Sequence, residues 1–149
     1  MADRVINSMK TEFCARSVNE AFARTCVAAF ASQADPSISV IADIKTVVSE
    51  AVTNAIVHGY SGIEDKQGSM IYINCKLTES GRLIIKIKDK GRGIENVKAA
   101  MQPLFTTDLE NERSGMGFTI MDSFTDKIKV KSKIGKGTIV VLEKRLRAR

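Results

Sequence analysis

Glu50 and Asn54 stand four residues apart, so on a helix the carboxylate and the amide lie one above the other. Such a pair suits one chemistry: the carboxylate accepts a proton from an attacking hydroxyl while the amide oxygen ligates a hard cation such as Mg²⁺. A second carboxylate follows at Asp89. Leu83, Ile85 and Ile87 alternate along one strand face, and the same period puts Asp89 on that apolar side. A buried carboxylate needs a partner, either an exocyclic amine such as that of adenine or a lysine near the strand end. Gly91 and Gly93, in Asp89-Lys90-Gly91-Arg92-Gly93, let backbone approach a flat ligand closely. Further on, Arg113-Ser114-Gly115-Met116-Gly117 precedes a helix-like run at Phe118, where free backbone N–H groups and the dipole favour an anion. Thr138 adds a small hydroxyl after Gly137.

These residues need elements to hold them. Residues 5–13 alternate as a strand, and Ser17-Val18-Asn19-Glu20 has the form of a capping box that opens a helix ending at Asp35-Pro36. Ile44, Val47, Val48, Ala51, Val52 and Ala55 form a helical stripe that faces a core and stops at His58-Gly59-Tyr60-Ser61-Gly62. Residues 70–77 and 82–89 pattern as strands joined by a hairpin at Thr78-Glu79-Ser80-Gly81. A short helix is expected near 94–101, another at 118–124, and two strands at 127–133 and 138–142. The loosely patterned connection from 91 to 117 is long enough to suggest a lid or binding loop. The order predicts an α+β two-layer sandwich, a mixed, mostly antiparallel sheet with helices on one face, in a single domain spanning residues 1–149.

Composition agrees with an ordinary globular domain: 149 residues, 44% hydrophobic and 27% charged, with 10 Gly and 2 Pro. No apolar run is long enough for a membrane span and no signal-like stretch opens the chain, so a cytoplasmic location is expected. The net charge of +6 is uneven: residues 127–149 hold nine basic residues and one acid, Glu143, which gives +8 there and −2 elsewhere. Lys127, Lys129, Lys131 and Lys133 alternate with Ile128, Val130, Ser132 and Ile134, the pattern of a strand with a solvated face. No aromatic residue interleaves with those lysines to stack on bases, so direct nucleic-acid binding is not expected. Cys14, Cys26 and Cys75 read as buried free thiols.

In this order the features resemble the Bergerat-type ATP-binding fold shared by DNA gyrase, Hsp90, histidine kinases and MutL, with Glu50 and Asn54 as the N-box and glycine boxes at 89–93 and 115–117. Within that superfamily, residues 46–60, 102–107 and 112–121 look like the sporulation anti-sigma factor and serine kinase family. The resemblance implies a homodimer that binds ATP·Mg²⁺, holds a sigma factor and phosphorylates a serine of an anti-anti-sigma protein. It also implies roles: Glu50 as catalytic base, Asn54 as Mg²⁺ ligand, Asp89 at the adenine amine, Gly91 and Gly93 along the base, and Thr138 assisting there. Arg113, Ser114, Gly115 and Gly117 would belong to a phosphate lid, and Arg24 resembles a partner-contact position. His58 is the only histidine and follows the N-box, so the phosphate acceptor is expected on another protein. The rival expectation is a nucleotide-gated binding protein with little or no kinase activity.

Overall fold

A computed structural model describes residues 2–61, 68–101 and 117–147. Five strands form one sheet: β1 Val5–Cys14, β2 Met70–Thr78, β3 Arg82–Asp89, β4 Lys127–Lys133 and β5 Gly137–Arg145, in the order β1-β2-β3-β5-β4. All four pairings are antiparallel. The mixed sheet expected from sequence is therefore an antiparallel one over the described strands. It comes from two hairpins laid side by side, with β1 returning along β2.

Alternation decides which face is buried. Ile71, Ile73, Cys75 and Leu77 of β2 and Leu83, Ile85 and Ile87 of β3 point into the core, with Val140 and Leu142 of β5 beside them. Helix α1 (Asn19–Ala31) and helix α2 (Ile38–Asn54) close that face through Ala23, Val27, Ile44, Val47, Val48 and Val52. Two shorter helices, α3 (Val97–Ala100) and α4 (Gly117–Ser123), flank them, with Met121 of α4 buried. The helices lie on one face, as expected. The other face carries the lysines: β4 alternates exposed Lys127, Lys129, Lys131 and Lys133 with half-buried Ile128, Val130 and Ser132.

Several local expectations are corrected. The capping box at Ser17 does not form: Val18 is the N-cap and supplies no side-chain bond, while the Asn19 amide donates to the Cys14 carbonyl. Helix α1 ends at Ala31, continues as a short 3₁₀ turn and stops where Asp35 takes a left-handed φ of 52°, before Pro36. Helix α2 begins earlier than its apolar stripe, because the Ser37 side chain caps it by accepting from Val40 N at 3.1 Å. Strand β5 runs from Gly137 to Arg145 rather than over 138–142, so Lys144 and Arg145 belong to the sheet. Lys144 Nζ reaches Asp43 Oδ2 at 3.2 Å.

Among the cysteines, Cys75 is fully buried, whereas Cys14 and Cys26 are half-buried and all three are free. Burial pushes the Cys75 thiol up to about 12, which keeps it protonated. Ile85, 1% exposed, sits at the centre of the sheet under the helices. Ile85→Ala is expected to lower the unfolding free energy by about 3 kcal/mol in a urea titration, through the lost transfer energy and the cavity. A midpoint equal to that of the wild type would refute this placement of the core.

Candidate functional site

Helix α2 does not stop cleanly. Its last turn widens into a π-turn over Ala55–Gly59, a feature that concentrates at functional sites. The turn carries the Gly59 carbonyl outward, where it accepts from Arg92 N at 2.7 Å. Packing there is backbone on backbone. A Cβ on Gly91 would overlap the Gly59 carbonyl oxygen, and one on Gly59 would lie 2.9 Å from Asp89 Oδ1. On the far side, a Cβ on Gly137 would overlap the Asp89 carbonyl oxygen. Three glycines thus fit the helix end and the β5 start tightly around Asp89.

Asp89 is 5% exposed and points to the core side at the last position of β3, as the alternation requires. Its Oδ1 accepts from Gly91 N at 2.9 Å. Burial raises its pKa above the ordinary 3.8, and hydrogen bonds from the Gly91 and Thr138 amides oppose that rise. Among the described residues no ammonium or guanidinium forms a salt bridge with it. A carboxylate offers about four lone-pair sites, and two amides leave room for a ligand donor. Lys90, its neighbour, extends over the Tyr72 ring at 5.0 Å, and Arg92 donates to Ser61 Oγ at 3.2 Å. Tyr60, 3% exposed, ties this corner together: its hydroxyl donates to the Met70 carbonyl and accepts from Lys90 N at 2.8 Å.

These pieces border a cleft of about 900 Å³, whose lining includes Asn54, His58, Gly59, Asp89, Gly93, Gly117 and Thr138. The volume suits a nucleotide-sized ligand. Asn54 faces Gly117 so closely that a Cβ there would lie 2.9 Å from its Nδ2. Gly93 has a φ of +80°, a left-handed conformation that favours glycine, and a Cβ there would also meet the Lys133 carbonyl. Across the sheet, Asp89 pairs with Thr138 and Thr138 with Ser132, which makes one inward row of three polar side chains.

Of the residues singled out from sequence, Asn54, Asp89, Gly93, Gly117 and Thr138 meet at the cleft, and Gly91 backs it. Glu50 is half-buried one helical turn before Asn54 on α2. Arg113, Ser114 and Gly115 lie outside the described residues. Arg24 does not border the cleft; it stands on α1 in a close ion pair with Glu20. Sequence reasoning took Gly59 only as a helix stop and passed over Tyr60 and Ser132 as site residues. The signals for them were a buried tyrosine just after the helix and a serine at an inward strand position. No group of three or more His, Cys, Asp or Glu among the described residues is arranged to hold a metal. Asn54, on the cleft wall, carries an amide oxygen, a hard donor of the kind Mg²⁺ accepts.

Residues 13–144 match the histidine kinase-like ATPase domain family. The chain is 55% identical to an anti-sigma F factor of Thermoanaerobacter sp. (strain X514), over 139 residues and 93% of each chain. It is 50% identical to an anti-sigma F factor of Clostridium acetobutylicum, over 93% of this chain and 94% of that one. Among solved structures, the RsbU and RsbW domains of Rv1364c from Mycobacterium tuberculosis superpose over 96% of this chain with a TM-score of 0.69 at 19% identity. This chain spans about a third of that one, at 33%. The catalytic domain of histidine kinase ThkA superposes with a TM-score of 0.56 at 16% identity, over 93% of this chain and 96% of that one. These two likenesses are ones of fold.

The raised pKa of Asp89 has a stability consequence. Between 3.8 and the higher native value the folded chain binds more protons than the unfolded one, so stability is lost as pH rises through that window. Asp89→Asn keeps the shape and an acceptor but removes the charge. The variant is therefore expected to melt above the wild type at pH 7, with the gap closing as pH falls towards 3.8. A wild type at least as stable at pH 7 would contradict the buried-charge account.

Proposed function

This chain belongs to the anti-sigma F factor family within the histidine kinase-like ATPase domains, and from that premise we propose how its residues perform the family's work. The protein is an anti-sigma factor and a protein serine kinase of the GHKL type: it holds a sigma factor and transfers phosphate from ATP to a serine of its anti-anti-sigma antagonist. We take residues 1–149 as one ATP-binding domain acting as a homodimer in the cytoplasm, without direct contact to nucleic acid. Among the described residues no helix is long and apolar enough to cross a membrane.

The observation that carries the nucleotide reading is Asp89, a nearly buried carboxylate whose hydrogen-bond partners among the described residues are amides, at the edge of a cleft sized for a nucleotide. Its oxygen accepts from an exocyclic amine of the base, and Gly91 and Gly93, whose missing Cβ atoms let this segment pack on the Gly59 and Lys133 backbone, run along the ring. Thr138, next to Asp89 across the sheet, completes this edge. Asn54 at the cleft wall would hold Mg²⁺ through its amide oxygen. When bound, ATP·Mg²⁺ supplies the phosphoryl group and neutralises its charge. Resemblance assigns Arg113, Ser114 and Gly115, outside the described residues, together with Gly117 to the phosphates, and Gly117 opens α4 beside Asn54. Glu50, one turn back on α2, takes the proton of the incoming serine hydroxyl. Arg24, exposed enough on α1 to be reached, contacts the protein partners.

Glu50→Gln separates binding from chemistry, because it is nearly isosteric and removes only the base. With labelled ATP and a serine-bearing anti-anti-sigma protein, transfer is expected to fall about 10²- to 10⁴-fold while the nucleotide Kd stays within twofold. Transfer at the wild-type rate would remove Glu50 from the mechanism. Asn54→Ala is expected to weaken ATP binding in calorimetry with Mg²⁺ present and to change it little in the presence of a chelator. Equal losses under both conditions would argue against a metal ligand.

A further inference from the structure

Ser132 lies at an inward position of β4, beside Thr138 on β5 and two strands from Asp89 on β3. Thr138 lines the cleft and Ser132 stands behind it. Three contacts converge on the Ser132 hydroxyl: Ile94 N at 2.7 Å, the Gly137 carbonyl oxygen at 3.0 Å and Thr138 Oγ1 at 2.7 Å. Their polarity can be assigned by counting protons. The Ile94 N–H can only donate and the Gly137 carbonyl can only accept, so Ser132 receives the first and spends its single proton on the second. The remaining contact is satisfied when Thr138 donates to Ser132. Three protons then serve three contacts, and Ser132 uses its one donor and both lone pairs. In the opposite arrangement, with Ser132 donating to Thr138, two oxygens at 3.0 Å would face each other without a proton.

We infer that Ser132 is a positioning residue for base selection: by taking the Thr138 hydroxyl proton, it leaves Thr138 able only to accept from a ligand in the cleft. The inference rests on the nucleotide reading above and extends it to a residue which that reading does not use. With the Asp89 carboxylate adjacent, the inner edge of the cleft presents, among the described residues, two acceptors and no hydroxyl donor. Such an edge matches a 6-aminopurine, whose amine carries two N–H donors. It opposes a 6-oxopurine, whose carbonyl would meet oxygen lone pairs. Selectivity arises because buried polar groups left facing the wrong polarity are costly. Ser132 also fixes the backbone of the first glycine box, since Ile94 N is held from the β4–β5 hairpin. It thereby joins base selection to the placement of Gly93.

The test is the ratio of Kd for inosine triphosphate to Kd for ATP, measured by calorimetry on the full chain. Ser132→Ala returns the hydroxyl proton to Thr138, which can then donate to the 6-oxo group, so the ratio is expected to fall about tenfold. Ser132→Thr, which keeps a hydroxyl, should preserve the wild-type ratio. In a Thr138→Val background, Ser132→Ala should leave the ratio unchanged, because the group it acts through is gone. A purely structural role would weaken both nucleotides equally, and an unmoved ratio in Ser132→Ala overturns the inference. So does an equal fall in the Thr138→Val background. Failure of the wild-type chain to bind either nucleotide overturns the nucleotide reading and this inference together, whereas normal ATP binding with an unmoved ratio overturns this inference alone.

Discussion

Keeping a carboxylate nearly out of water at the end of a strand is the constraint around which the rest of this fold is arranged. Asp89 is 5% exposed, and an ionised group so placed is costly unless hydrogen bonds surround it. Among the described residues that cost is met by backbone amides rather than by a counter-charge. The Gly91 and Thr138 amides point at the carboxyl, and Gly59, Gly91 and Gly137 let three segments approach within atomic contact. The π-turn that ends α2 belongs to the same arrangement, since it delivers the Gly59 carbonyl to Arg92 N. A cation here would satisfy Asp89 permanently. Amides leave it ready to accept from a ligand.

Much of this was legible in the sequence because it rests on period. Asp89 continues the alternation of Leu83, Ile85 and Ile87, and it stands inward as that pattern demands. The stripe from Ile44 to Ala55 placed α2 against the core, and the lysines of β4 face solvent. What stayed hidden depends on contacts across the chain or on competition between local bonds. Ser17 carries the capping-box pattern, yet Asn19 bonds to the Cys14 carbonyl and the helix starts without a side-chain cap. No local signal announces the π-turn, because it is held by its contact with the first glycine box. Ser132 matters only through a register that pairs it with Thr138, and register is a property of two strands. Arg113, Ser114 and Gly115, read as an anion site from the glycines before a helix, lie outside the described residues.

The basic charge also takes a clearer meaning in three dimensions. Lys144 is tied to Asp43, and Arg82 lies between Asp3 and Glu143 near the β2–β3 hairpin. Lys127, Lys129, Lys131 and Lys133 share the sheet face away from the helices, opposite the cleft side. The basic charge of this end is, as the alternation implied, a strand with one wet face, together with a few ion pairs. It lies apart from Asp89, whose surroundings among the described residues hold no salt-bridged cation.

The central claim is that Asp89 is held for an exocyclic purine amine, and removing only that amine tests it most directly. The affinity of the wild-type chain for purine riboside triphosphate, which lacks the 6-amino group, should be compared with that for ATP under identical Mg²⁺ and salt. The account predicts that the analogue binds at least about tenfold more weakly, because it leaves a buried acceptor without its donor. Equal affinities would contradict it.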